Sequence, residues 1–324
     1  MNTRKFRKTA LLLAVSFLLT GCGFSGKEVL LPNEHELSED AKAVSSLTSG
    51  KQEWTGTGLC IPEDSSVYED EAISAGAALL FNLDEPEVLY AKNVYQEMNP
   101  ASLTTLFTAY VVLQNKNLSD TVTVQADALT GLAHTSTVGL KAGDQITVEQ
   151  LLHGMLLCSG VDAANVLAIE TAGDKASFVR MMNRAAKECG CADTQFQNPN
   201  GLTEQGHYTT AYDIYLIVRK LMEDQRFLDI ISSGTYKAVY RNADGDRCEE
   251  IYTSTVQYTE DGVSGIGSVQ IVGGKTGTTS SAGHCLALIC TGSSGKRYLA
   301  VVMKAKSHDS LYEQIEYIVM KIKK

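Results

Sequence analysis

Gly273-Gly274-Lys275-Thr276-Gly277-Thr278-Thr279, followed by an alternating apolar stretch that ends near Cys290, is the segment from which the fold is read. A Lys-Thr-Gly string is common by chance, so its meaning depends on what accompanies it. Two upstream segments do. Pro100-Ala101-Ser102-Leu103-Thr104-Thr105-Leu106-Phe107-Thr108 places a serine at a loop-to-helix turn, and Leu151-Leu152-His153-Gly154-Met155-Leu156-Leu157-Cys158-Ser159-Gly160-Val161-Asp162-Ala163-Ala164-Asn165 is an apolar run broken at Ser159. Ser102, Ser159 and Lys275 are separated by 57 and 116 positions.

Periodicity fills in the elements between these points. Ala75 to Leu83 and Val88 to Ala91, joined through Asp84-Glu85-Pro86, read as a β-hairpin. From Ser102 to about Asn115, Leu106, Tyr110 and Leu113 recur at helical spacing. Thr147 followed three residues later by Gln150 is a capping box ahead of the run Leu151 to Leu157, so a helix should end near Cys158-Ser159-Gly160. Further helices are expected from Asp162 to about Gly173, Ala176 to Cys189 and Asp213 to Met222. Strands are expected at Ala238 to Arg241, Ile251 to Val256, Gln270 to Val272, Cys285 to Thr291 and Tyr298 to Lys304, then a closing amphipathic helix from Leu311 to Lys324. Strands at both ends with helices between them predict an α+β fold: one antiparallel sheet packed by helices, with an inserted helical lobe.

Order, spacing and flanks together resemble the low-molecular-weight D-alanyl-D-alanine carboxypeptidases, penicillin-binding serine peptidases of family S11. Phe196-Gln197-Asn198-Pro199-Asn200-Gly201-Leu202 and His207-Tyr208-Thr209-Thr210-Ala211-Tyr212-Asp213 are further matches, and the likeness runs from about Ile73 to the C-terminus. It implies a β-lactamase/transpeptidase-like architecture with the active site between lobe and sheet. In the family, the serine of Ser-x-x-Lys attacks the carbonyl between two D-alanines of a peptidoglycan stem peptide, with the lysine one helical turn on as its base. Here Ser102 holds the nucleophile position, but Thr105 replaces the lysine. Ser159 holds the serine of Ser-x-Asn, but Val161 replaces the asparagine. Lys275, Thr276 and Gly277 are intact and imply a grip on the substrate's terminal carboxylate, with the Ser102 and Thr278 amides as oxyanion hole. A threonine hydroxyl is no base near neutral pH, and valine neither donates nor accepts a hydrogen bond. The expectation is therefore a homologue that binds stem peptides or a cell-wall enzyme without hydrolysis. The alternative is an active serine-type carboxypeptidase using another base.

The first 21 residues carry Arg4, Lys5, Arg7 and Lys8 ahead of an apolar run from Ala10 to Leu19, which reads as a secretory signal. Cys22, directly after Leu19-Thr20-Gly21, resembles the lipobox cysteine that is diacylated in bacterial lipoproteins. Residues 1–21 are thus expected to be a lipoprotein signal peptide, 22–72 a lipid-anchored flexible linker and 73–324 the carboxypeptidase-like domain. Trp54 and Leu59-Cys60-Ile61 mark an alternative in which part of that linker docks. The β-rich second domain and C-terminal amphipathic anchor of several family members are expected to be absent. Removing the signal changes the formal charge from −10 to −14, because four positive and no negative charges go. That balance argues against nucleic acid and against an electrostatic hold on anionic lipid, so the expected tie to an extracytoplasmic membrane face is covalent.

No cofactor or metal is expected. Cys189-Gly190-Cys191 lacks a second cysteine pair at zinc-site spacing and reads as buried thiols. His153 with Cys158 is a second candidate base and nucleophile, but both fall in an apolar helix and its end. Ser293-Ser294-Gly295-Lys296 matches Ser-x-x-Lys literally but lies in a hairpin loop.

Overall fold

The computed structural model describes residues 58–62, 70–259 and 265–323. The expected signal, Cys22 and Trp54 lie outside these residues. The strands are β1 (Ala77–Asn82), β2 (Val88–Lys92), β3 (Thr121–Thr123), β4 (Gln145–Thr147), β5 (Thr235–Arg241), β6 (Arg247–Thr253), β7 (Gly265–Ile266), β8 (Val269–Thr279), β9 (Gly283–Thr291) and β10 (Arg297–Ala305). The helices are α1 (Thr104–Asn115), α2 (Val148–Cys158), α3 (Val161–Ala172), α4 (Lys175–Glu188), α5 (Ala211–Leu221), α6 (Gln225–Ile231) and α7 (His308–Val319).

The expected α+β class and β-lactamase/transpeptidase-like architecture hold, but the strands form two sheets instead of one. Six run in the order β2-β1-β10-β9-β8-β7, and β3-β4-β5-β6 form a smaller sheet beside the lobe. The large sheet is covered on both sides, which explains why β1, β9 and β10 read as nearly unbroken apolar runs. Leu79, Phe81, Ala287, Ile289, Leu299 and Val301 face the lobe helices. Leu80, Leu286, Leu288, Ala300 and Val302 alternate with them and pack with Leu311, Ile315 and Ile318 of α7. The hairpin β5-β6 has mostly outward residues, and its charged half, Arg247 to Glu250, hid the true start of β6.

Two local features aim residues at the cleft. The Thr147 capping box forms as expected: Gln150 N donates to Thr147 Oγ1 at 3.3 Å and Thr147 N to Gln150 Oε1 at 3.0 Å. Helix α2 then ends in a left-handed residue, Ser159 (φ 56°), with Gly160 N–H bonded back to Gly154 O at 3.1 Å. On the sheet side, the β8–β9 register slips between Ile271 and Gly273, so that Ile271 pairs with Cys290 but Gly273 with Ile289. This bulge transfers the residues after Val272 to the other face. Lys275 consequently pairs with Ala287, whose side chain faces the lobe, instead of sharing the α7 face of Ile271.

The described segment 58–62 of the expected linker is anchored at Cys60, with Ile61 left exposed, which corrects the reading of these residues as free tether. Cys60 is 1% exposed; its N–H donates to Tyr215 Oη at 3.0 Å and its thiol to the carbonyls of Asn82 and Glu87. A cysteine small enough to lie between α5 and the β1–β2 turn, with its N–H and thiol both bonded, gives this segment a docking point, the alternative that Leu59-Cys60-Ile61 marked.

Candidate active site

Ser102 lies in a single 3-10 turn, Ala101–Leu103, that leads into α1 and packs against β8. Ala101 sits at φ 48°, a left-handed conformation that a non-glycine residue adopts only when its surroundings enforce it. They do so from two sides. Gly201 (φ 88°) is so close that a Cβ there would stand 1.9 Å from Ala101 O, and a Cβ on Gly277 would stand 2.9 Å from Ser102 N. Both positions need glycine because backbone approaches backbone. Below the turn, Gln197 N–H donates to His207 Nδ1 at 3.1 Å, which makes Nε2 the protonated nitrogen. His207 Nε2–H therefore donates to Thr104 Oγ1 at 2.9 Å, and Thr104 donates to Ala101 O at 2.8 Å. Burial pushes His207 down to about 4, so it stays neutral and holds this chain in one sense.

The expected replacement of a base by threonine has a definite geometry. Thr105, 1% exposed, donates its hydroxyl to Ser102 O at 2.7 Å. Among the described residues, Ser102 Oγ has no hydrogen-bond partner. Ser102 itself is half-buried at the cleft.

Across from it stand Ser159 and the β8 strand. Lys275 is fully buried; its Nζ hydrogen-bonds Ser159 Oγ and donates to Thr276 O at 2.9 Å. It forms no ion pair with a carboxylate among the described residues, and desolvation pushes it down to about 7. Thr276 Oγ1 is 2.6 Å from Thr255 Oγ1, and Thr278, exposed, is 3.4 Å from His284 Nδ1. The structure thus brings Ser159, Lys275 and Thr276 together, with Gly277 stacked on the Ser102 turn.

Val161 points the cleft's wall in a different direction. Its backbone N–H donates to Ser136 O, while its side chain lines an open cleft of about 340 Å³ with Asn165, Asn198, Asn200, Leu202 and Lys175. The amides around it are already partnered: Asn200 Nδ2 donates to Asn165 Oδ1 at 2.9 Å, and Asn165 Nδ2 donates to the backbone carbonyl of Ala128 at 3.0 Å. Asp162, next in sequence and 1% exposed, accepts from the backbone amides of Val138, Gly139, Leu140 and Ala163, which fixes the loop opposite. Sequence reading passed over Asp162, Asn165 and Thr255; only the match around Asn198 to Gly201 hinted at this wall.

The other candidates are structural. His153 is 4% exposed, its Nδ1 bonds Glu149 O at 2.9 Å and its ring stacks on Tyr236 at 3.6 Å. Lys296 pairs with Glu85 at 2.7 Å in the β9–β10 hairpin. All seven described cysteines are free thiols, and those at 189 and 191 are buried.

Comparison with known proteins gives one consistent answer. A family model described as D-alanyl-D-alanine carboxypeptidase matches residues 64–307. D-alanyl-D-alanine carboxypeptidase DacF of Bacillus subtilis is 31% identical over 253 residues, 76% of this chain and 61% of the relative. DacD of Salmonella typhimurium is 35% identical over 75% of this chain and 61% of its own length. The chain thus spans about 61% of the length of these relatives. The carboxypeptidase of Streptomyces sp. strain K15 is 30% identical over 72% of this chain and 82% of its own length. Among solved structures, the Streptomyces K15 DD-transpeptidase matches with a TM-score of 0.71 at 27% identity, covering 77% of this chain and 97% of that one.

Proposed function

The chain belongs to the D-alanyl-D-alanine carboxypeptidase family, and from that premise we propose that it is an extracytoplasmic, lipid-anchored member that recognises peptidoglycan stem peptides but does not hydrolyse them. The observation that carries this reading is the bond from Thr105 to the Ser102 carbonyl. A serine hydroxyl reacts at neutral pH only when an adjacent group takes its proton. At Ser102 the side chain one turn on is a neutral hydroxyl, already committed to the backbone. Nucleophile and base act as a unit in serine peptidases, so losing either costs on the order of 10⁴ or more in turnover.

Recognition groups remain. Thr276 and Thr278 present hydroxyls along the open side of β8, and the Lys275 amine lies behind them. A terminal carboxylate arriving there holds Lys275 in its charged form and supplies the counter-charge that the buried amine lacks. The backbone edge beside Gly277 offers strand-like pairing to the peptide. Diacylation of Cys22 would tether the domain to the membrane, since the acidic balance of the chain gives no electrostatic hold. A cell-wall enzyme is the second partner compatible with this surface.

Incubation with a fluorescent penicillin tests the loss of chemistry. The expected result is no stable adduct on Ser102. An adduct that disappears in Ser102→Ala would favour the second reading, an active carboxypeptidase with a base supplied from elsewhere.

A further inference from the structure

Two serines flank the Lys275–Gly277 segment of β8, and the one with a basic neighbour is not Ser102. Ser159 caps α2 in a left-handed conformation, half-buried, with its turn pinned by the Gly160-to-Gly154 hydrogen bond. Its Oγ is hydrogen-bonded to Lys275 Nζ. Lys275 has one other partner, the Thr276 carbonyl, and no carboxylate among the described residues. Lys275 Nζ donates to Ser159 Oγ and to Thr276 O; in its neutral form the same amine keeps an N–H on Thr276 O and turns its lone pair to the Ser159 hydroxyl, whereas an ammonium is buried here without counter-charge. The β8 bulge is what turns Lys275 to this side, so the pairing is built into the sheet register.

We propose that Ser159 and Lys275 form a nucleophilic dyad of their own, separate from Ser102, that is acylated by uncharged ester-type donors. Desolvation supports the base form, placing Lys275 near 7. Among the described residues Cys158 is the titratable group that acts on Lys275 by charge, and burial raises its thiol so that it stays neutral there. Asp162 acts on Cys158 in the same sense. The restriction to uncharged donors follows from the same electrostatics: a carboxylate beside Lys275 holds it as an ammonium and removes the base.

In the step, Lys275 Nζ takes the Ser159 hydroxyl proton as Oγ forms a bond to the donor's carbonyl carbon. The ester C–O bond then breaks, and Lys275 returns the proton to the departing alkoxide. With a fluorophosphonate probe the new bond is Oγ–P, fluoride leaves, and the proton passes from Lys275 to solvent. This dyad does not depend on the proposed function, because it uses Lys275 as the free amine, with no carboxylate bound and without Ser102.

The test is labelling of the domain with an uncharged fluorophosphonate, with the modified residue located by peptide mass spectrometry. One adduct on Ser159 is expected, at a rate that climbs with pH and levels off above about 7. Ser159→Ala should abolish it and Lys275→Met should slow it by about 100-fold or more. The wild-type pH profile stands even if the lysine variant fails to fold. Absence of labelling, an adduct on Ser102, or a rate indifferent to both pH and Lys275→Met would overturn the proposal. An adduct on Ser102 would also count against the loss of chemistry proposed there, whereas the other outcomes leave the penicillin test of Ser102 as it stands.

Discussion

Thr105 donates its hydroxyl to the carbonyl of Ser102, 2.7 Å away, one helical turn before it. The contact closes the first turn of α1 and leaves the nucleophile position without a base. Hydroxyls and a buried amine stand on β8, and a serine without a basic neighbour stands in the turn ahead of α1; under the proposed function, recognition and reactivity divide along these two walls.

Restoring both missing groups should restore acylation. Val161 holds Ser136 through its backbone N–H, so Val161→Asn leaves that bond in place while supplying the amide that the family carries two positions after the serine of Ser-x-Asn. With Thr105→Lys added, Ser102 should acquire penicillin about 100-fold faster than in the parent chain, the ordinary contribution of a positioned base. Gel fluorescence of the labelled double variant measures this. No gain in a folded double variant would mean that the spacing between α1 and β8 has changed as well.

Lys275 is kept at a cost in stability. Its folded-state value of about 7 lies below the unfolded value of ~10.4, so the penalty is complete below about pH 7. It eases as the pH rises from 7 toward 10, by on the order of 1 kcal/mol per pH unit. Lys275→Met should therefore be more stable than the parent at pH 6, by about 1–4 kcal/mol, with the advantage shrinking at pH 9. Urea unfolding at the two pH values reads the difference; a variant that is less stable at both contradicts it.

His207 and Asp213 should offset each other in mild acid. Burial lowers His207 to about 4, below its unfolded value, so its share of stability is lost as the pH falls from about 6.5 to 4. Burial raises Asp213 to about 6, so its share is lost in the opposite direction, as the pH rises from about 4 to 6. His207→Gln should leave stability falling with rising pH across this window, and Asp213→Asn should leave it rising. Thermal melts from pH 4 to 6.5 separate the two slopes, and parallel slopes would refute the assignment.

Gly201→Ala should damage the Ser102 turn from a distance. The residue is at φ 88°, and its new Cβ would meet Ala101 O at 1.9 Å. A loss of about 3 kcal/mol or more in chemical denaturation is expected, because neither backbone can yield without disturbing the other. A near-neutral result would show that the contact is looser than the geometry states.

Much of this architecture was legible because it is local. The Thr147–Gln150 box fixed the start of α2, and the apolar run from Cys285 to Cys290 marked β9. Ser102, Ser159 and Lys275 could be named because their segments, in their order and flanks, resemble those of the family. What stayed hidden depends on distant partners. Nothing in Val272-Gly273 announces which face a bulge will give to Lys275 until β9 is alongside. Strands β3 and β4 have three residues each, too few for a period to register, and β6 is charged along its open side. Asp162 looks like an ordinary first-turn acid until the Val138–Leu140 loop folds onto it.

Recognition without hydrolysis can be read in a single sample: a D-Ala-D-Ala-ended pentapeptide is added to the protein, and binding and free D-alanine are followed together. Saturable binding is expected, weakened when Thr276 is changed to valine, with D-alanine release no faster than in buffer. Release of D-alanine that vanishes in Ser102→Ala would instead make the protein a working peptidase and refute the division between its two cleft walls.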